Sequence, residues 1–238
     1  MQWNEHVFIY CERGTDPAFW AEPFNALSNL AFILAAAAGL RDLLRQPVAT
    51  RYLEQYLLVA GIFAIGIGSF LFHTHANRWS ELADVVPIGL VMLGMLAVML
   101  ARFLRLPLVW RIAGIMAFVL ATHIAMGLRC GGGECLNGSI GYVPALLGLT
   151  LIGLMLRWRG HPASPRLLTA AGVFLASLTL RTFDRAWCDA LGLPGHALGT
   201  HFLWHTLNGL MLYLLLTAAI RHSRHGLLPA PGGTLAKA

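Results

Sequence analysis

Gly66-Ile67-Gly68-Ser69-Phe70-Leu71-Phe72-His73 closes an apolar run that begins at Leu53, and Asp84 stands at the mouth of the next apolar run after a short polar turn. No charged side chain lies between Glu54 and His73. A run of that length matches the roughly 20 residues a helix needs to cross the ~30 Å hydrocarbon core of a bilayer. An imidazole and a carboxylate at the ends of such helices need a reason. Ionisable groups cost about 2.5–3.5 kcal/mol at mid-span and are by default functional.

The rest of the chain has the same character. It is 57% hydrophobic and 12% charged, whereas a soluble domain carries about 25% charged residues. Seven spans are expected, at 26–44, 53–72, 83–103, 108–127, 140–157, 166–182 and 198–220. Short connections between them predict one all-α bundle. Residues 1–25 hold Glu5, Glu12, Arg13, Asp16 and Glu22 with Pro17 and Pro23, so they lack the basic-then-apolar pattern of a cleaved signal peptide and are expected to form a small cap. Residues 26–220 form the expected helical domain, and residues 221–238 read as a disordered basic tail.

Orientation follows from arginine. One side of the membrane receives Arg41, Arg45, Arg51, Arg102, Arg105, Arg111, Arg157, Arg159, Arg166, Arg221, Arg224 and Lys237, which is 12 of the 17 basic residues. The other side receives Arg13, Arg78, Arg129, Arg181 and Arg185. The positive-inside rule then places the amino terminus and cap outside and the carboxyl terminus in the cytoplasm, with a bacterial inner membrane as the expected location. The net charge of +6 is a topology signal and gives no support to nucleic-acid binding. Cys11, Cys130, Cys135 and Cys188 all fall on the outer side, where an even number of cysteines suggests disulfides. Cys130 and Cys135 flank Gly131-Gly132-Gly133-Glu134, a loop able to close on itself, which leaves Cys11 for Cys188.

Ser69 and His73 are four residues apart and share a helix face, as do His201 and His205. Three imidazoles with an open position make the ligand set of a catalytic zinc, whereas a structural zinc is closed by a fourth protein ligand. His75 points elsewhere if its helix continues, and His123, alone near the outer end of its span, reads as a hydrogen-bonded core residue. Asn25, Ser28 and Asn29 carry more amide and hydroxyl than lipid contact tolerates and are expected to face the bundle interior. The cap from Cys11 to Asn25 is rich in carboxylate and carbonyl oxygen, the chemistry that suits calcium, although its spacing is not that of an EF-hand. No span contains lysine, which excludes a retinal Schiff base.

Together Cys11-Glu12, the block Glu22-Pro23-Phe24-Asn25-Ala26-Leu27-Ser28-Asn29, Ser69-Phe70-Leu71-Phe72-His73 with Asp84, and His201-Phe202-Leu203-Trp204-His205 resemble the alkaline ceramidase family. That family belongs to the seven-helix transmembrane hydrolases that include the adiponectin receptors. The resemblance implies an amidase that cleaves the N-acyl bond of ceramide to a sphingoid base and a fatty acid. It implies that His73, His201 and His205 bind zinc, that Asp84 holds the water activated there, and that Ser69 lies beside the metal as a donor to the oxyanion. It also implies calcium in the adjoining cap, held by Glu12, Glu22 and the Tyr10 carbonyl. Here the chain departs from the pattern: Ile9 stands where an aspartate is expected and Gly14 where an asparagine is, with Asp16 as a substitute ligand. The family's bridge from the cap to the loop before the last span matches Cys11 with Cys188.

Two other functions fit the same residues in part. A sibling enzyme would keep the metal and cleave another acyl amide or an ester. A receptor or transporter with histidines along a path would need polar residues through the full depth of the bundle, but they concentrate at its outer end. The expected partner is a ceramide-like lipid, with no obligate protein partner.

Overall fold

The computed structural model describes residues 2–131, 133–192 and 195–222. The expected tail beyond residue 222, with Arg224 and Lys237, lies outside the described residues. Seven helices are long and apolar enough to cross a membrane: α1 Pro23–Leu44, α2 Leu53–His75, α3 Arg78–Phe103, α4 Leu108–Gly127, α5 Cys135–Trp158, α6 Ser164–Phe183 and α7 His201–His222. The chain is an all-α multi-pass membrane protein. Its only strands among the described residues, β1 Arg129–Cys130 and β2 Gly133–Glu134, form a small hairpin between α4 and α5.

Neighbours in sequence are neighbours in space. Helix α7 also packs along α1 and touches α2, so it lies deepest in the bundle. Two thirds of its best apolar window is buried (67%), whereas α4 (6%) presents nearly its whole length outward. His123 is therefore exposed on α4 and is not the core residue expected, because α4 has few neighbours to bury it. The middle of the bundle is apolar, with Phe32, Ile62, Val91, Met95, Phe174 and Leu216 buried together.

The helix ends that matter differ from the sequence expectation by several residues, for local reasons. Helix α2 continues through His75, and only Ala76 and Asn77 separate it from α3. Ala76 adopts a left-handed conformation (φ 45°), and Asn77 caps α3 by accepting from the Ser80 backbone N–H at 3.2 Å while Ser80 Oγ accepts from the Asn77 N–H at 3.1 Å. The apolar signal that predicts a start at 83 begins a turn and a half after this polar cap. Helix α7 starts at His201 because Gly199, at φ +62°, turns the chain and Asp184 Oδ1 accepts from the Thr200 and His201 amides at 2.8 Å each.

At one point α2 and α3 nearly touch backbone to backbone. A Cβ on Gly68 would sit 1.9 Å from the Ala83 carbonyl oxygen. Pro87, inside α3, lacks the N–H that this carbonyl would accept in a regular helix, so the oxygen is free to close on the glycine. Ser69 and Asp84, the next residues on each helix, are thereby brought face to face.

Residues 2–22 lie across the α2–α3 turn. Val7 donates to the Ala76 carbonyl at 2.7 Å, and the Glu5 carbonyl accepts from the Arg78 amide at 3.1 Å. Cys11–Cys188 ties this cap to the segment between α6 and α7, and Cys130–Cys135 closes the β-hairpin.

Candidate metal centre

His73 ends α2, while His201 and His205 open α7. Helical spacing turns each pair partner to one side, and the α2–α7 contact brings the three rings together. His73 is 0%, His201 1% and His205 2% exposed. Ring centroids are separated by 4.7 Å for His73–His205, 4.6 Å for His201–His205 and 5.2 Å for His73–His201. One nitrogen from each lies within 4.8 Å of the others.

Hydrogen bonding decides which nitrogens face inward. Ser28 Oγ donates its one proton to the Asn25 carbonyl at 2.8 Å. The same oxygen lies 2.8 Å from His205 Nδ1, so it must accept from an Nδ1–H there, leaving Nε2 unprotonated toward the cluster. His73 Nδ1 lies 2.5 Å from Glu22 Oε2, a carboxylate that only accepts, which likewise leaves Nε2 with its lone pair. His73 Nε2 and His201 Nδ1 are buried without a hydrogen-bond partner. Each such orphan costs about 1–3 kcal/mol unless something satisfies it. Neutral imidazoles oriented through their far nitrogens by a carboxylate and a hydroxyl are how proteins hold zinc or a similar transition metal, and nitrogen donors do not suit magnesium or calcium. The residues therefore fit a catalytic metal.

Asp84 flanks this cluster from α3. Its carboxylate takes a hydrogen bond from Ser69, and its Oδ1 is buried without a partner. Ser69 therefore reaches Asp84 first, and the oxyanion role expected of it requires its hydroxyl to turn. His75 packs against Phe19 and Trp79, away from the cluster. Tyr10 stacks on the His201 ring at 3.7 Å, and burial raises its phenol well above the ordinary value. Trp204, between His201 and His205, also lines an apolar cavity with Phe32, Ile65, Met95, Tyr142 and Met211. Its lining runs along α3 from Ile88 to Met99 and along α7 from Trp204 to Leu215.

The cap oxygens expected to hold calcium are already engaged. Glu12 accepts from the Phe24 and Asn25 amides at 2.8 Å each, the first turn of α1, and from His196 Nε2 at 3.1 Å. Burial pushes the Glu12 carboxyl above the usual carboxylate range against the pull of those donors. Glu22 is shared by His73, Asn25 and Arg13, which outweigh its burial and hold its carboxyl below the usual range. The Tyr10 carbonyl accepts from the Gly14 amide at 3.3 Å. Asp16 is exposed, and its carboxylate accepts from the Ala18 amide at 2.8 Å. Among the described residues the carboxylates of Glu12, Asp16 and Glu22 do not form a group close enough to hold an ion together.

Sequence reasoning left four contributors without the role they play here. Ser28 and Glu22 orient two of the histidines, and Asp184, fully buried, fixes the start of α7. Arg181, half-buried, lies over the Tyr142 and Trp204 rings that line the cavity. The sequence signals were the Ser28 hydroxyl at the end of a span, the Glu22 carboxylate in the cap, and Asp184 as an acidic residue before an apolar span with no cap of its own.

A family model described as Ceramidase matches residues 10–227 of the chain. No curated protein is matched in a comparison of sequences.

Proposed function

The chain belongs to the ceramidase family, and we propose that it is a zinc-dependent amidase that hydrolyses the N-acyl bond of ceramide within the membrane. The observation that carries this reading is the buried cluster of His73, His201 and His205, in which Glu22 and Ser28 leave the inward nitrogens of His73 and His205 unprotonated. These three residues would hold the ion. Bound there, zinc supplies Lewis acidity, which polarises a carbonyl and makes water acidic enough to lose a proton near neutral pH.

The chain's own groups do the rest. Asp84 Oδ1, unpartnered and beside the cluster, accepts the proton of the attacking water and returns it to the amine nitrogen as the C–N bond breaks. Ser69 orients the carboxylate before this transfer. Once Oδ1 is protonated, the Asp84 carboxyl is neutral and accepts the Ser69 proton less strongly, so the hydroxyl is released to turn toward the developing oxyanion, a contact of the kind worth about 2.7–4 kcal/mol. The acyl chain enters the apolar cavity between Phe32, Trp204 and Met211, which keeps water from the bond except at the histidines. The scissile amide thus lies near one membrane surface, at the end of α2 and the start of α7.

The arginine and lysine asymmetry supports placing that surface on the outside, with the carboxyl terminus in the cytoplasm, and two disulfides agree with an oxidising compartment. The test is zinc content and ceramide hydrolysis of protein purified without chelator, wild type beside His201→Ala. Wild type should carry about one zinc per chain, as a three-histidine site requires. Active protein free of zinc would refute the metal. A panel of N-acyl amides and acyl esters assigns the lipid, and preference for an ester would replace ceramide as substrate.

A further inference from the structure

At the centre of the cap, where carboxylate and carbonyl oxygens converge, lies the Arg13 guanidinium. Its side chain is fully buried. Nε donates to Glu22 Oε1 at 2.5 Å, and Nη1 donates to the Asp16 and Ala18 carbonyls at 3.0 and 2.9 Å. Nη2 donates to the His73 and Thr74 carbonyls at 2.8 and 3.4 Å. A guanidinium has five N–H donors, and all five are used.

The oxygens around it are of the kind a hard cation takes: one carboxylate and four carbonyls from an irregular loop and a helix end. The His73 and Thr74 carbonyls belong to the last turn of α2, where a helix leaves its carbonyls unpaired and gathers negative charge. We propose that Arg13 is a built-in cation that takes the place of a divalent ion in the cap, so that this protein holds its cap on α2 without calcium. A second cation among these oxygens would displace a guanidinium that already satisfies them and neutralises Glu22. Ile9 and Gly14 offer no side-chain oxygen, Glu12 is spent on the start of α1, Asp16 is exposed and accepts from the Ala18 amide, and Glu5 faces Arg78, so the cap carboxylates do not gather around a second cation. Lysine could not substitute for Arg13, since one ammonium with three donors cannot reach oxygens spread over the whole guanidinium plane.

The inference does not depend on what the histidines bind. Its test uses the full chain in detergent, purified with calcium present and no chelator, and reads calcium and zinc in the same metal analysis. Calcium should be far below one per chain whatever the zinc content. The thermal unfolding midpoint of wild type should be the same with and without about 10 mM calcium, enough to fill a site of the 10⁻⁴–10⁻³ M class. Arg13→Ala should melt at a lower temperature and recover part of the loss in methylguanidinium, which restores the charge and donors without the side chain. One calcium per wild-type chain, or a midpoint that rises with calcium, would overturn the proposal. So would Arg13→Ala melting where wild type does. If Arg13→Ala fails to fold, the wild-type measurements decide alone.

Discussion

Replacing Gly68 with alanine should separate catalysis from metal binding. The new Cβ would lie 1.9 Å from the Ala83 carbonyl oxygen and 2.6 Å from its carbon, both backbone atoms that cannot rotate away. Ordinary contact starts at 3.4 Å, so α2 and α3 must part by about 1.5 Å, an overpacking that costs on the order of 1–3 kcal/mol. Helix α2 is held by α1, α3 and α7, whereas α3 packs mainly on α2, so α3 moves and takes Asp84 with it. His73 stays with its partners on α1 and the cap. A displacement of about 1 Å in a catalytic group can lower turnover by about 10²-fold. Ceramide hydrolysis should therefore fall by that order or more while zinc content is unchanged. Gly94→Ala is the control at the same interface, because its Cβ would meet only the flexible end of Leu58, at 3.3 Å. Wild-type turnover in folded Gly68→Ala would refute the dependence of Asp84 on this close approach.

Asp84→Asn should retain zinc and lose about 10²–10⁴-fold in turnover, the usual contribution of a general base, as measured by metal analysis and hydrolysis of a fluorescent ceramide. His205→Ala should lose metal and activity together. Ser28→Ala should weaken zinc about 10–100-fold in chelator competition, because it removes the acceptor that fixes the His205 tautomer; unchanged affinity would show that the tautomer is fixed otherwise. Cys11→Ser with Cys188→Ser should lower the unfolding midpoint, since a bridge across 177 residues stabilises by about 5 kcal/mol in chain-entropy terms. A reporter joined to the carboxyl terminus should be cytoplasmic.

The bundle and the three histidines were legible because both are written in periodicity. A bilayer allows one solution for an apolar run of 20 residues, and i, i+4 spacing fixes a shared face whatever lies around it. The junctions were less legible, since a helix end is set by a few polar contacts and not by hydropathy. Asn77 and Ser80 start α3 well before the apolar run, and a carboxylate just beyond the end of α6 starts α7. The cap was ambiguous in the sequence for a related reason. Glu12, Glu22 and the surrounding carbonyls look alike whether an ion or an arginine lies among them, and the sequence does not reveal that Arg13 folds inward over a distance of 60 positions to the end of α2. His123 was misjudged because burial depends on how many neighbours its helix has.

The three histidines sit on helix ends, which are ordinarily the places where helices fray and side chains drift. Here each end is tied to the same cap by a different interaction. Arg13 closes the carbonyl end of α2 at His73 and Thr74, and Glu22 joins that guanidinium to the His73 ring. Asp184, in the segment after α6, accepts the Thr200 and His201 amides with one oxygen and the Cys11 amide at 3.0 Å with the other. The Cys11–Cys188 bridge then binds covalently what Asp184 holds by hydrogen bonds. Because Asp184 and the bridge meet at Cys11, they constrain one degree of freedom twice, and losing either leaves the other in place. Losing both leaves the start of α7 held to the cap by the Tyr10–His201 stack and the Glu12–His196 contact alone. The effects of Asp184→Asn and Cys11→Ser on zinc retention should therefore be small singly and more than additive together, as expected for residues that share a partner.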